Sequence, residues 1–109
     1  MNPHERLVPP MGAVLASRLV ARDGQKVRFL YRELPDGPED SGWRIFSGSE
    51  DQAFADDPAN IGLYDADTIA RIDPDIIPLL QEPPPCAFER ENAGDPFVRS
   101  ADFDFEPEE

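Results

Sequence analysis

A group of carboxylates follows the single tryptophan of this 109-residue chain. Trp43 opens the run WRIFSGSEDQAFADD, which contains four acidic residues, Glu50, Asp51, Asp56 and Asp57. Carboxylates this close in sequence can bind a hard cation, act as paired catalytic acids, or form an acidic surface for a basic partner. The spacing of the motifs and the overall charge distinguish these three possibilities.

The spacing of the acidic residues does not match a metal site. The calcium-loop pattern D-x-[DN]-x-[DN]-G-x5-E is absent. A second acidic run, DADTIARIDPD, is better explained by helix capping, because its aspartates lie where helices are predicted to begin. Cys86 is the one cysteine and His4 the one histidine, so no zinc-ligand set exists. We therefore expect neither a metal nor a cofactor.

Catalytic motifs are missing as well. The chain has no G-x-S-x-G, no Walker loop and no G-x-G-x-x-G. Its only histidine, the commonest type of general base, lies near the N-terminus. With 23 acidic residues some carboxylate pair is inevitable, so a pair alone does not indicate a glycosidase. We expect that the protein is not an enzyme.

The charge of the chain points to the class of partner. The formal net charge is −13, which disfavours binding to nucleic acid or to an anionic membrane surface. It favours a basic protein, which the acidic surface would attract electrostatically. The alternative is that the carboxylates serve solubility alone. There is no apolar run of about 20 residues and no secretory signal, so we expect a cytoplasmic protein.

The chain divides into three predicted segments. Residues 1–12 are rich in proline and without pattern, which predicts a flexible arm. Residues 13–91 are predicted to form a single domain. Residues 92–109 end in a run of acidic residues that buries too little apolar area to offset the entropy of ordering. We therefore predict a mobile acidic tail.

Within the domain, the run AVLASRLVARDGQKVRFLYRE predicts a β-hairpin. Its two β-rich halves flank Asp23-Gly24, a pair typical of a type I′ turn. In that register Val20 would face Val27, and Ala16 would face Tyr31. Further strands are predicted in WRIFSG and in residues 86–90.

Three short helices are also predicted. The first begins after Ser49, an N-cap in a capping-box pattern, and ends before Pro58. The others follow the caps Asp65 or Asp67, and Asp73. The resulting fold class is α+β: a small antiparallel sheet of about four to five strands with two to three short helices packed against it.

Several motifs between residues 28 and 90 resemble a known family. They are, in order, YRE, DSGWRIFSG, ED at Glu50-Asp51, NIG, IDPDIIPLL and AFER. This part of the chain resembles bacterial domains of unknown function that are grouped with the predicted immunity proteins of polymorphic-toxin systems, in class thirty-three. The resemblance implies a bacterial, cytoplasmic α+β domain that binds and neutralises a toxin enzyme. It supplies no catalytic residue, and the Pro-rich run EPPPCAFER departs from the family pattern.

The resemblance and the charge together predict an immunity-type protein that occludes a basic toxin. The predicted binding patch consists of acidic residues with Trp43 at its edge: Glu50, Asp51, Asp56, Asp57 and Asp65. The second acidic pair of the first helix is the leading candidate, because the helix dipole disfavours carboxylates at a C-terminal end.

Two alternatives stay open. Trp43 has the strand periodicity of a core residue, so it could equally lie in the core. The protein could also be a stand-alone bacterial domain that binds a small ligand or regulates another protein. A pocket lined by Trp43, Tyr31 and Tyr64 would favour that function.

Overall fold

The computed structural model describes residues 6–100, so the predicted arm and tail are described only in part, without residues 1–5 and 101–109. Its strands are β1 (Ala13–Ser17), β2 (Phe29–Arg32), β3 (Asp40–Phe46), β4 (Ile61–Asp65), β5 (Cys86–Glu89) and β6 (Val98–Arg99). Its helices are α1 (Arg18–Ala21), α2 (Gln52–Asp56) and α3 (Ala66–Ile72), with 3₁₀ helices at Pro58–Asn60 and Pro74–Leu79.

The six strands form one sheet in the order β4-β1-β3-β2-β5-β6. The pairing of β1 with β3 is parallel, and every other neighbouring pair is antiparallel. The α+β class is therefore confirmed. The sheet is mixed, and it has six strands where an antiparallel sheet of four to five was predicted.

The predicted hairpin around Asp23-Gly24 is wrong. After β1 the chain turns into α1, because the Ser17 hydroxyl caps that helix by accepting a hydrogen bond from the Leu19 N–H at 3.0 Å. Gly24 has a φ of 74° and reverses the chain after α1. Ala16 lies opposite Ile45 of β3 and Gly62 of β4, not opposite Tyr31. Both edges of β1 are thus occupied by strands that lie far away in sequence.

One face of the sheet carries the hydrophobic core. Alternate residues of the central strands point to this face and are fully buried, including Val14, Leu30 and Ile45. They pack with apolar side chains from α1, α3 and the second 3₁₀ helix. Burying one such side chain stabilises a fold by about 1.5–3 kcal/mol, so this layer positions the strands that carry the opposite face.

A buried ion pair links the end of the sheet to the second 3₁₀ helix. The side chains of Arg90 and Asp73 are each 1% exposed and lie 2.8 Å apart. Asp73 is the predicted cap, and its carboxylate accepts hydrogen bonds from the N–H groups of Asp75 at 3.1 Å and Val27 at 2.8 Å. Arg90 also donates to the Val27 carbonyl at 2.9 Å. These contacts tie β5 and the approach to β2 to the second 3₁₀ helix.

Parts of the predicted arm and tail contact the domain. The N–H groups of Leu7 and Val8 donate to the Asp67 carboxylate, and Val8 is only 3% exposed. In the predicted tail, β6 pairs with β5, and the Ser100 N–H donates to the Ala87 carbonyl at 2.8 Å. The segment boundaries at residues 12 and 91 stay predictions.

Candidate partner-binding face

The second face of the sheet is not covered by the core helices. The exposure of its side chains is uneven: Leu63 is 69% exposed, whereas Arg44 and Ala87 are buried. Cross-strand register places one row of them side by side across five strands: Leu63, Leu15, Arg44, Tyr31 and Ala87. A second row runs from β3 to β6: Phe46, Phe29, Glu89 and Val98. We call this surface the open face.

Three rings of the open face form an aromatic cluster: Phe29, Tyr31 and Phe46. The ring centroids of Phe29 and Tyr31 lie 5.8 Å apart, and each lies 6.3 Å from that of Phe46. These spacings are within the range of favourable aromatic contacts. Burial, and next the negative charge of Glu33, raise the pKa of Tyr31. The cluster is an apolar surface that still reaches solvent.

The aromatic cluster lines an open groove of about 650 Å³. The groove is bordered by Ala55 of α2 and by carboxylates at its rim, Glu50, Glu89 and Glu91. Arg28 and Arg90 also line it. The Arg28 guanidinium donates to the carbonyls of Ser47 at 2.8 Å and Glu91 at 3.2 Å, and Arg90 is paired with Asp73. The groove therefore combines ring surfaces with carboxylates that form no ion pair within residues 6–100.

Arg44 holds together the two ends of the loop between β2 and β3. Its guanidinium donates two hydrogen bonds of 2.9 Å to Asp40 and one of 2.7 Å to Glu33. The side chain of Arg44 is only 5% exposed. Hydrogen bonding to Arg44 holds the pKa of Asp40 well below its usual range, and the same contact raises the pKa of Arg44. The loop is thereby fixed against the open face.

The helix of the predicted acidic patch begins later than expected. Asp51 and not Ser49 is the N-cap of α2, and its carboxylate accepts from the Phe54 N–H at 2.8 Å. Glu50 precedes the helix, and its carboxylate accepts from the N–H groups of Ser47 and Gly48, each at 2.9 Å. Burial opposes the charged form of Glu50, but hydrogen bonds to its carboxylate outweigh burial and lower its pKa.

The second acidic pair closes α2. Asp56 accepts from the side-chain amide of Gln52 at 2.8 Å. Asp57 is both the C-cap of α2 and the N-cap of the next 3₁₀ helix, where it accepts from the Ala59 N–H at 3.0 Å. This second capping contact offsets the unfavourable interaction between the Asp57 carboxylate and the dipole of α2, which the sequence predicted. Within residues 6–100, Glu50, Asp51, Asp56 and Asp57 form no ion pair.

The other two residues of the predicted patch lie elsewhere. Trp43 is fully buried in the core, and its indole N–H donates to the Leu80 carbonyl at 3.1 Å. Asp65 is at the far end of β4 from α2, and it pairs with Arg6 at 2.8 Å. That pairing lowers the pKa of Asp65 to about 2. The structure thus groups four of the predicted acidic residues around α2, without Trp43 or Asp65.

The aromatic cluster was not predicted as a site. The sequence does contain a signal for the cluster. Alternate residues of a strand point to the same face, so the runs RFLYR and RIFSG place Phe29 and Tyr31 on one side of β2. The false hairpin assigned these residues to the wrong neighbours. The predicted ligand pocket of Trp43, Tyr31 and Tyr64 does not form, because Tyr31 and Tyr64 line different grooves and Trp43 is buried.

The structure also bears on metal and thiol chemistry. Within residues 6–100, no group of three His, Cys, Asp or Glu side chains is placed to hold a metal ion. Cys86 is buried, and its burial raises the pKa of the thiol. In the same part of the chain, no helix has the length and apolar character that crossing a membrane requires.

The comparison with protein families decides the assignment. Residues 14–100 match the immunity protein Imm33 domain. The chain belongs to the Imm33 family. This confirms the resemblance inferred from the motifs, and the Imm33 match extends from β1 to the end of β6. Neither a curated protein nor a solved structure matches the chain.

Membership in the Imm33 family gives the function in outline. An Imm33 domain implies an immunity-type role, in which the protein binds a toxin partner. Immunity proteins are generally not enzymes. The candidate binding surface is therefore the open face together with the carboxylates that line its groove.

Proposed function

We propose that this Imm33 domain neutralises a basic toxin enzyme in the bacterial cytoplasm by binding over the surface that the toxin uses. The observation that carries this proposal is the group of four carboxylates around α2, which form no ion pair within residues 6–100. They are Glu50, Asp51, Asp56 and Asp57, and we call them the α2 carboxylates.

The charge balance supports a basic partner. Residues 6–100 contain all ten basic residues and 17 of the 23 acidic ones, a net charge of −7. Several of the arginines are already bound to carboxylates, such as Arg44 to Asp40 and Arg90 to Asp73. The α2 carboxylates thus remain to attract a basic surface and to speed its association. A toxin that acts on nucleic acid carries such a surface, which an acidic protein can occlude.

The experiment is a capture of the toxin from the native host at moderate salt. The tagged full chain is compared with the double variant Asp56→Lys plus Asp57→Lys. The two aspartates are exposed, and within residues 6–100 their side chains accept hydrogen bonds from Gln52 and Ala59 of their own segment, so the variant is expected to fold. We expect the wild-type chain to retain a basic protein, to inhibit its activity, and to lose both properties in the variant.

The matched control places the same charge change elsewhere. Asp23 and Asp95 are also exposed and in no ion pair within residues 6–100, so Asp23→Lys plus Asp95→Lys should leave capture largely intact. Equal loss in both variants would show that total charge, and not the α2 carboxylates, governs binding. If the wild-type chain retains no basic protein, the proposed function is wrong.

A further inference from the structure

The open face carries a second groove, which is bordered by the loop between β2 and β3 and which we call the loop groove. We propose that the loop groove, with Leu15 and Leu63 on its floor and Asp36 and Glu39 on its wall, binds an aliphatic side chain of the partner protein that lies next to a lysine or arginine. That the partner is a toxin rests on the proposed function above. The chemical preference of the groove can be tested without the toxin.

Two leucines form the floor of the loop groove. Leu15 of β1 and Leu63 of β4 lie directly opposite each other in the register of the two strands, and both line an open groove of about 460 Å³. Leu63 is 69% exposed, and Leu15 is partly buried. A single exposed leucine is ordinary on a soluble protein, but a neighbouring pair in a concave surface is typical of a binding site. Because β4 is an edge strand, a partner can reach this floor without displacing another strand.

The wall of the loop groove is acidic. Asp36 and Glu39 are exposed and form no ion pair within residues 6–100. Among the described residues, the cation that lines the groove is Arg44, whose guanidinium is already bound to Asp40 and Glu33. With three carboxylates and one guanidinium along it, the groove has a formal charge of −2. The wall therefore attracts a basic side chain and repels an acidic one.

The wall is also held in place before a partner binds. The Asp40 carboxylate accepts hydrogen bonds of 3.0 Å from the N–H groups of Asp36 and Gly42. At the same end of the loop, the Glu39 carbonyl accepts from the Ala13 N–H at 2.8 Å, which ties the loop to β1. A surface that is already ordered loses less conformational entropy on binding, so the loop groove is preorganised for a partner.

This combination of groups selects a segment that is both aliphatic and basic. A wholly apolar segment would cover the floor but leave the carboxylates of the wall desolvated without a counter-charge. A wholly basic segment would meet the wall but leave the leucines of the floor in water. A lysine or arginine next to an aliphatic residue satisfies both, because its long side chain can reach the wall while its neighbour lies on the floor.

The ligand chemistry can be tested with defined peptides. The probe is acetyl-Lys-Leu-Lys-Leu-Lys-amide, titrated into the isotope-labelled full chain and followed by NMR. One control peptide replaces each leucine with serine, and the other replaces each lysine with glutamine. We expect saturable shifts in β1, β4 and residues 36–40 with the probe, and binding there at least about tenfold weaker with either control peptide.

Two variants connect those shifts to the proposed residues. Leu63→Ser removes the exposed part of the floor, and Asp36→Asn plus Glu39→Gln removes the charge of the wall while keeping its shape. Each should weaken binding of the probe by at least about fivefold. Leu34→Ser is the matched control, because Leu34 is 71% exposed in the same loop and does not line the groove. Melting temperatures of the variants establish that each is folded.

Four results would overturn the inference. Equal affinity for either control peptide would remove the need for both an aliphatic and a basic group. Shifts that Leu63→Ser leaves unchanged would place the site outside the loop groove. Equal weakening by Asp23→Asn plus Asp95→Asn, two exposed aspartates that do not line the groove, would show that total charge governs binding. A wild-type dimer that Leu63→Ser converts to a monomer, measured by light scattering, would assign the groove to a second copy of the chain.

The captured toxin gives an independent test. Leu63→Ser should weaken its binding by about tenfold or more. Capture with unchanged affinity would refute this inference alone. No capture by the wild-type chain would refute the proposed function, and the peptide titration would still decide whether the loop groove prefers an aliphatic and basic segment.

Discussion

Replacing Arg90 with methionine tests how strongly the buried ion pair stabilises the domain. The guanidinium of Arg90 and the carboxylate of Asp73 are each 1% exposed, so the pair is shielded from water and from salt. Methionine retains an apolar stem of similar length but none of the donors. Asp73 would keep its hydrogen bonds from Val27 and Asp75 and lose its counter-charge.

The expected cost follows from this burial. Removing one partner of a buried pair destabilises a protein by about 3–5 kcal/mol, mainly because the remaining charge is left uncompensated. A domain of this size has a free energy of unfolding of about 5–15 kcal/mol, so the variant should be folded but marginal. With a urea slope of about 1–3 kcal/mol per molar, the unfolding midpoint should fall by roughly 2 M.

Urea unfolding followed by tryptophan fluorescence is a direct assay, because Trp43 is fully buried in the native state. Asp75→Asn is the matched control, since Asp75 binds the same arginine at 2.9 Å but its side chain is 58% exposed. That change should cost less than about 1 kcal/mol. The double variant Arg90→Met plus Asp73→Asn should recover part of the loss, since no lone charge then remains buried. A loss below about 1 kcal/mol for Arg90→Met would refute the reasoning.

Two further predictions concern the loop that Arg44 holds. Gly42→Ala should destabilise the fold by at least about 2 kcal/mol in urea unfolding, because φ is 91° and an added Cβ would lie 2.2 Å from the Glu33 carbonyl oxygen. Gly37→Ala meets nothing within 4 Å, so a loss as large as that at Gly42 would contradict this explanation. The pKa of Asp40 is depressed by Arg44, so its stabilising effect is present above the ordinary value of 3.8 and is lost as the pH falls below it. The urea midpoint should therefore fall more steeply from about pH 5 to about pH 2 in the wild-type chain than in Arg44→Met, and parallel curves would exclude the effect.

Local signals in the sequence predicted the caps well. Asp65 and Asp73 begin helices because a short acidic side chain can accept a hydrogen bond from the backbone N–H two residues on. Ser49 and Asp51 offered competing starts for α2, and the sequence pattern favoured the wrong one. The Glu50 side chain instead folds back onto Ser47 and Gly48, which leaves Asp51 as the cap.

The pairing of β1 could not be predicted from local signals. Asp23-Gly24 is a common hairpin turn, but the same pair also ends a helix when glycine adopts a positive φ. The run that follows Ser17 is too short for its periodicity to distinguish a helix from a strand. The decisive contacts of β1 are with β3 and β4, which lie far along the chain.

The candidate site was half predictable for a related reason. The α2 carboxylates lie close together in the sequence, so the sequence alone predicted them as a group. The aromatic cluster joins Phe29 and Tyr31 of β2 to Phe46 of β3, and only the register of those strands brings the rings together. Alternation shows that Phe29 and Tyr31 share a side of the strand, but the side that the helices cover depends on the whole fold.

The interior position of β1 has a consequence for the order in which the domain is completed. β1 is synthesised before β3 and β4, yet it lies between them, so its second edge has no partner strand until residue 65 has been synthesised. Contacts between such distant segments form late, after long loops have closed. A nascent chain that stops before Ile61 lacks one neighbour of β1 and has no complete open face to offer. The domain can therefore present its complete open face only after the strands that follow β1 in the sequence have been synthesised.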